Sequence, residues 1–107
     1  MRINPEGQTE EKTIIISHVS SNPSGSPRSS ISIQAYYDTD TYCVYASLNN
    51  AGAYVDVSIV NQTTNETYNY QISGTGSSVM PISGTPGYWS ITFTLSGGDE
   101  YMGSFVL

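Results

Sequence analysis

The sequence predicts an all-β protein, folded as a two-sheet antiparallel immunoglobulin-like sandwich of about seven or eight strands. Three observations predict this fold. The C-terminal part alternates apolar and polar residues in two segments joined by a tight turn at 96–99, as strands with one buried face do. Similar segments recur along the chain with turn-forming residues between them. No segment has the apolar spacing of a helix. A small closed β-barrel is the alternative.

The first predicted strands are bounded by residues that favour turns and loops. A strand at 12–17 is rich in β-branched residues and precedes a Ser-, Pro- and Gly-rich loop at 20–29. A second strand at 30–37 alternates and ends at the turn Asp38–Thr41. A third strand is predicted at 42–48.

The remaining strands follow the same logic, at 54–61, 66–73, 79–82, 87–95 and 100–107. Pro81 removes a backbone donor, so the strand that contains it is expected at a sheet edge or in a crossing segment. The predicted inward-facing residues are Ile31, Ile33, Ala35, Tyr37, Tyr42, Val55, Val57, Ile59, Tyr68, Tyr70, Ile72, Trp89, Ile91, Phe93, Leu95, Tyr101, Phe105 and Leu107.

The chain has 107 residues, a length that fits one domain with its own core. Residues 1–12 are polar and predict a flexible N-terminal arm, and residues 13–107 predict a single immunoglobulin-like β-sandwich domain. The single cysteine, Cys43, allows no intramolecular disulfide. Its apolar surroundings in the sequence predict a small buried residue without a redox role.

The charge balance excludes several classes of partner. The net charge is −6, and the only basic residues are Arg2, Lys12 and Arg28, so a nucleic-acid partner is not expected. No apolar run is long enough to cross a membrane, so direct membrane insertion is not expected either. Met1–Gly7 has no apolar signal region. The surface is rich in Ser, Thr, Asn, Gln and Tyr, as in many secreted domains, and we expect an exported protein whose signal peptide has been removed.

The sequence resembles a known family over residues 28–107. The segments that carry the resemblance are 55–61, 66–68, 86–93 and 101–105, together with the Arg28–Ser29 pair. The terminal hairpin, Gly-Tyr-x-x-Ile followed by Tyr-x-Gly-x-Phe, is its strongest part. The pattern is similar to that of domain-of-unknown-function family 3244 (DUF3244), small secreted or periplasmic proteins of Bacteroidetes such as Bacteroides. The resemblance implies an immunoglobulin-like sandwich and an exported location. It supplies no catalytic or binding residues.

Catalytic residues and cofactors are not expected. His18 is the only histidine, and no Gly-x-Ser-x-Gly nucleophile motif is present. Asp38 and Asp40 share one turn and are weak candidates for Ca²⁺ ligands, but two carboxylates fall short of the six to eight oxygen ligands that this ion takes. Aspartate also favours turns for its own backbone hydrogen bonding, so we expect no metal site.

Tyrosine is the one residue type whose abundance suggests a binding role, with nine in the chain. Tyr36, Tyr45, Tyr54 and Tyr88 fall on predicted outward or loop positions. Exposed tyrosine offers a flat apolar ring with a polar tip, which suits sugars and protein contacts alike. The alternative interpretation is simple cross-strand packing of aromatic residues.

The sequence therefore predicts a non-enzymatic, exported module that binds a protein or a glycan at the cell surface or in the periplasm, as a monomer or weak dimer. The alternative function is a structural or accessory subunit that acts by edge-strand pairing in a surface assembly. A hydrolytic enzyme is the third hypothesis, and it lacks a visible acid–base pair.

Overall fold

The computed structural model of the protein describes residues 11–19 and 31–107. In these ranges the chain forms nine β-strands and no helix. The strands are β1 (Glu11–Ile14), β2 (Ser17–Val19), β3 (Ser32–Asp38), β4 (Cys43–Asn49), β5 (Tyr54–Asn61), β6 (Thr67–Ser73), β7 (Gly76–Pro81), β8 (Tyr88–Leu95) and β9 (Glu100–Val106). None of the described segments is a helix long and apolar enough to cross a membrane.

Two antiparallel sheets make up the sandwich. The four-stranded sheet has the order β1-β3-β4-β7, and the five-stranded sheet has the order β2-β9-β8-β5-β6. The predicted sandwich is therefore confirmed over the closed barrel. The strand that contains Pro81 lies at an edge of the four-stranded sheet, as predicted from its missing donor.

The core lies between the sheets and is filled by the alternating apolar residues. Trp89, Ile91 and Phe93 are fully buried, as their period of two predicted. The Trp89 ring stacks on Phe105 with a centroid distance of 6.0 Å. Phe105 in turn lies 5.5 Å from Tyr37 of the opposite sheet. This aromatic chain joins the two sheets.

The predicted first strand is in fact two short strands in different sheets. β1 pairs with β3, whereas β2 pairs with β9, and Ile15 and Ile16 cross between them. Ile14 is therefore buried, while Ile15 is 74% exposed. The count of strands in the described residues rises to nine for this reason. The arm predicted at 1–12 and the loop predicted at 20–29 lie almost wholly outside the described residues, since β1 begins at Glu11.

The turn after β3 lies one residue later than predicted. The Asp38 carboxylate accepts the backbone N–H of Asp40 at 2.8 Å, and the Tyr42 N–H donates to the Asp38 carbonyl at 3.0 Å. Tyr42 has a φ of 59° and is 54% exposed. The prediction that Tyr42 faces the core is therefore wrong, because this residue belongs to the turn.

Cys43, the first residue of β4, also differs from its predicted position. Cys43 is half-buried instead of buried in the core, and its thiol lies 3.4 Å from the Thr41 carbonyl oxygen. The expectation of a small core residue is wrong here, because Cys43 alternates with buried Val44 and so faces outward.

Candidate functional site

Two of the four candidate tyrosines form a pair on the outer face of the four-stranded sheet. The β3–β4 register places Tyr36 directly opposite Tyr45. Their rings stack almost parallel, with a centroid distance of 5.0 Å and an interplanar angle of 9°. Both are half-buried and alternate with buried residues that face the core. Strand pairing thus fixes an aromatic pair on the open side of the sheet.

A groove of about 560 Å³ lies beside this pair. Its polar lining includes Gln34, Ser47 and Ser77, which face one another in register across β3, β4 and β7. Thr13 and Ile15 line the end nearest β1. The volume lies within the ~300–1,000 Å³ range of small-ligand sites. We call this site the tyrosine groove.

The Tyr36 hydroxyl is uncharged at neutral pH. Desolvation raises the pKa of Tyr36 above its ordinary value, and so do the electrostatic effects of Glu11, Tyr45 and Asp38. The Tyr45 hydroxyl lies 3.4 Å from the Thr41 hydroxyl. A phenol can both donate and accept a hydrogen bond. The groove therefore combines apolar ring surface with neutral hydrogen-bonding groups.

The other two candidate tyrosines lie elsewhere and apart. Tyr54 begins β5 and Tyr88 begins β8, and these strands run antiparallel in the five-stranded sheet. The two residues consequently occupy opposite ends of that sheet, separated by about 25 Å at ~3.3 Å per residue. Both are exposed. The four tyrosines thus divide into one pair and two isolated residues.

The two candidate Ca²⁺ ligands lie at the β3–β4 turn: Asp38 ends β3, and Asp40 belongs to the turn. The Asp38 carboxylate accepts the N–H groups of Asp40 and Thr41 at 2.8 and 3.4 Å, which is the ordinary use of aspartate in a turn. Among the described residues, no group of three or more His, Cys, Asp or Glu side chains is placed to hold a metal ion.

His18 has a carboxylate partner that the sequence did not indicate. Its Nε2 lies 3.6 Å from Asp99 Oδ1, and its ring stacks on Tyr101 with a centroid distance of 4.7 Å. No serine, threonine or cysteine of the described residues hydrogen-bonds to it. The arrangement forms an ion pair when His18 is protonated, and it places no nucleophile beside the imidazole.

Sequence reasoning missed the polar lining of the tyrosine groove, namely Gln34, Ser47 and Ser77. Pairing the residues outward from the correct β3–β4 turn would have placed Tyr36 beside Tyr45 and Gln34 beside Ser47. The turn assigned one residue early breaks that pairing. No local sequence pattern predicts that Ser77 lies beside Ser47, because β7 pairs with β4 across a long stretch of sequence.

Comparison with known proteins shows the fold. A solved DUF3244 family protein from Bacteroides vulgatus, with an immunoglobulin-like β-sandwich fold, superposes with a TM-score of 0.68 and 11% sequence identity. The match covers 92% of this chain and 99% of that one. It comes from the family that the sequence resembles, and at this identity it establishes the shared immunoglobulin-like architecture. No family model and no curated protein matches the chain.

Proposed function

We propose that this protein is an exported, non-enzymatic immunoglobulin-like module that binds a glycan in the tyrosine groove. One observation carries the proposal: the parallel Tyr36 and Tyr45 rings border a groove whose lining combines isoleucine and alanine side chains with amide and hydroxyl groups. A sugar presents an apolar ring face as well as many hydroxyl groups. Aromatic rings with polar neighbours match both properties.

The polar lining of the groove is free to bind a ligand. Within the described residues, the side chains of Gln34, Ser47 and Ser77 make no hydrogen bond to another protein group, in contrast to Gln62 and Gln71, whose amides bond to neighbouring side chains. A glutamine amide donates and accepts, and so does a serine hydroxyl. The groove therefore offers unused donors and acceptors next to an aromatic wall.

The outer face of the five-stranded sheet mixes its exposed apolar residues with serines, which disfavours a protein interface there. Protein interfaces depend on a contiguous, largely apolar centre. On the outer face of the five-stranded sheet, the exposed Met102 and Val106 are separated by Ser104 on the same strand. Tyr88 lies opposite Val106, but the next pair on the same face is Ser90 with Ser104. The apolar residues there are dispersed among serines.

Two further observations support export and the absence of catalysis. The resemblance to DUF3244, a family of secreted or periplasmic proteins, agrees with a surface poor in charged residues, which are 11% of the chain. The His18–Asp99 pair lies outside the tyrosine groove and lacks a neighbouring nucleophile among the described residues. The proposed role of the groove is therefore binding without catalysis.

A glycan array tests the proposal. The wild-type protein should bind one or more arrayed glycans, and Tyr36→Ala and Tyr45→Ala should each lose that binding. Tyr54→Ala removes an exposed tyrosine from the other sheet and should bind as the wild type does. Equal loss in all three variants, or a hit that survives both groove substitutions, would place binding elsewhere.

Folding of the variants must be checked alongside binding. Urea midpoints of the Tyr36→Ala and Tyr45→Ala proteins should stay near that of Tyr54→Ala, since these side chains lie outside the core. Tyr36→Phe keeps the ring and removes the hydroxyl. If stacking dominates, this variant should retain most of the affinity.

The structure also offers an edge for the alternative function, an accessory subunit that acts by strand pairing. β6 spans seven residues, contains neither Pro nor Lys, and among the described strands pairs only with β5. Such an edge can accept another strand.

Sedimentation analysis tests this alternative. A dimer that Gln71→Pro converts to monomer would support it, and a wild-type monomer at all concentrations would count against self-pairing.

A further inference from the structure

The tyrosine groove lies in an acidic molecule, and this bears on the chemical class of its glycan. All of the nine acidic residues except Glu6 and Glu10 lie in the described ranges. Of the three basic residues, only Lys12 lies there. Glu11 lines the groove itself, and Asp38 lies directly opposite Glu11 on β3. Among the described residues, the charges nearest the groove are negative.

Lys12 does not offset these charges at the groove. It alternates with Thr13, which lines the groove, and it lies opposite Tyr37, which is buried in the core. Strand alternation therefore directs the Lys12 side chain away from the outer face. No basic residue of the described chain lines the tyrosine groove. Among the residues that the structure describes, a bound carboxylate or sulfate would meet Glu11 and no countercharge.

The groove crosses the strands, and it ends at a sheet edge on each side. Thr13, Tyr36, Tyr45 and Val79 stand opposite one another on β1, β3, β4 and β7. This row crosses the whole four-stranded sheet, about 14 Å at ~4.8 Å between neighbouring strands. β1 and β7 are the edge strands of that sheet. The row is longer than one sugar ring and is not closed by a further strand of the described chain at either end.

We propose that the tyrosine groove binds an uncharged polysaccharide, and that an internal segment of the sugar chain lies across the strands along the row Thr13–Tyr36–Tyr45–Val79. This inference rests on the proposed glycan-binding function and narrows it. The rings of Tyr36 and Tyr45 contact the apolar faces of the sugars. Gln34, Ser47 and Ser77 hydrogen-bond to sugar hydroxyls from the neighbouring row.

The test uses chemically matched pairs of polysaccharides. Each neutral polysaccharide on the array is oxidised at its primary hydroxyls to the corresponding polyuronate, and each acidic one is reduced at its carboxyl groups. Affinity electrophoresis of the full chain then compares the two members of each pair. We expect the neutral member to bind at least about tenfold more tightly, since each tenfold corresponds to about 1.4 kcal/mol. Tyr36→Ala should abolish that binding.

The outcomes separate this inference from the function on which it rests. If an acidic member binds as tightly as its neutral partner and Tyr36→Ala still abolishes binding, the preference for uncharged glycans is wrong and the glycan-binding function stands. If no member of any pair binds, the proposed function fails and this inference with it. Glu11→Gln should partly restore binding to the oxidised member, whereas Asp56→Asn, on the other sheet, should not.

The length of the oligosaccharide tests how the sugar chain lies in the groove. Affinity should rise with each added sugar until the oligomer spans the row, and then level off. A free monosaccharide should not displace the polymer at comparable concentrations. Full competition by a monosaccharide would overturn the internal-segment arrangement and indicate a site for a chain end.

Discussion

Asn61 lies directly against Gly87, so closely that a Cβ atom on Gly87 would stand 2.6 Å from Asn61 Oδ1. Asn61 is fully buried. Its Oδ1 accepts the Thr63 and Thr64 N–H groups at 2.9 and 3.1 Å, and its Nδ2 donates to the Pro86 carbonyl at 3.2 Å. One amide thus joins the β5–β6 turn to the segment that enters β8.

Gly87→Ala should destabilise the protein by more than about 1 kcal/mol, because the new methyl group meets Asn61 and the backbone φ of +147° disfavours an L residue. The free energy of unfolding in urea measures the effect. Gly97→Ala is the matched control, since a Cβ there meets nothing within 4 Å. Equal midpoints for the two variants would contradict the close contact between Gly87 and Asn61.

Phe105→Ala should cost about 3–5 kcal/mol of stability, as other large aromatic truncations in protein cores do. Phe105 is buried and stacks on both Tyr37 and Trp89, so its loss removes the contact that joins the two sheets. Urea denaturation followed by tryptophan fluorescence reports directly on Trp89. Val106→Ala, at a neighbouring exposed position, should change the midpoint little; a comparable loss there would show that the β9 register is wrong.

Strands with a strict period of two were predictable from the sequence, and β5 was predicted over the residues it occupies, Tyr54–Asn61. The terminal hairpin was predicted to within a residue at each end. Alternation identifies these strands because a buried face needs an apolar residue at every second position. The order of strands within each sheet was not predictable, since the β4–β7 pairing depends on contacts remote in sequence.

The candidate site was predicted only in part, for a related reason. Alternation predicted outward positions for Tyr36, Tyr45, Tyr54 and Tyr88, but it does not show on the outer face of which sheet each residue lies. That depends on sheet membership, and Tyr36 and Tyr45 share the four-stranded sheet whereas Tyr54 and Tyr88 lie on the other. The turn after β3 added a second error. Asp38 binds the amides of the following residues, so the turn extends through Tyr42 and each residue of β3 pairs with a β4 residue two positions later than predicted.

The division of the first predicted strand gives a test with neighbouring isoleucines. Ile14→Ala should cost about 2–5 kcal/mol, because Ile14 is 3% exposed and belongs to the core. Ile15→Ala should fall within about 0.5 kcal/mol of the wild type, because Ile15 is exposed where the chain crosses between the sheets. Chemical denaturation measures both variants. A loss for Ile15→Ala as large as that for Ile14→Ala would contradict the exposed position of Ile15 at the crossing.

Glu66 should give stability a dependence on acid pH. Hydrogen bonds from the Ser83 hydroxyl and then the Tyr68 phenol, with a smaller one from Thr85, hold the pKa of Glu66 below its ordinary value, against a loss of hydration that raises it. The folded protein therefore binds a proton at Glu66 less readily than the unfolded chain does. The stability that this group contributes is present above the unfolded-state pKa, and it is lost as the pH falls through the folded-state pKa.

Glu66→Gln should consequently lower stability at neutral pH and lose less of it on acidification below about pH 5, since unperturbed glutamate titrates near 4.3. Urea midpoints at a series of pH values measure this difference. Glu100→Gln removes the same charge from an exposed site on β9 and should follow the wild-type profile. If both substitutions flatten the acid limb equally, general charge repulsion explains the profile. If only Glu66→Gln flattens it, the Ser83 hydroxyl joins the β5–β6 turn to the β7–β8 loop through the ionised carboxylate, which the Tyr68 phenol of β6 also contacts.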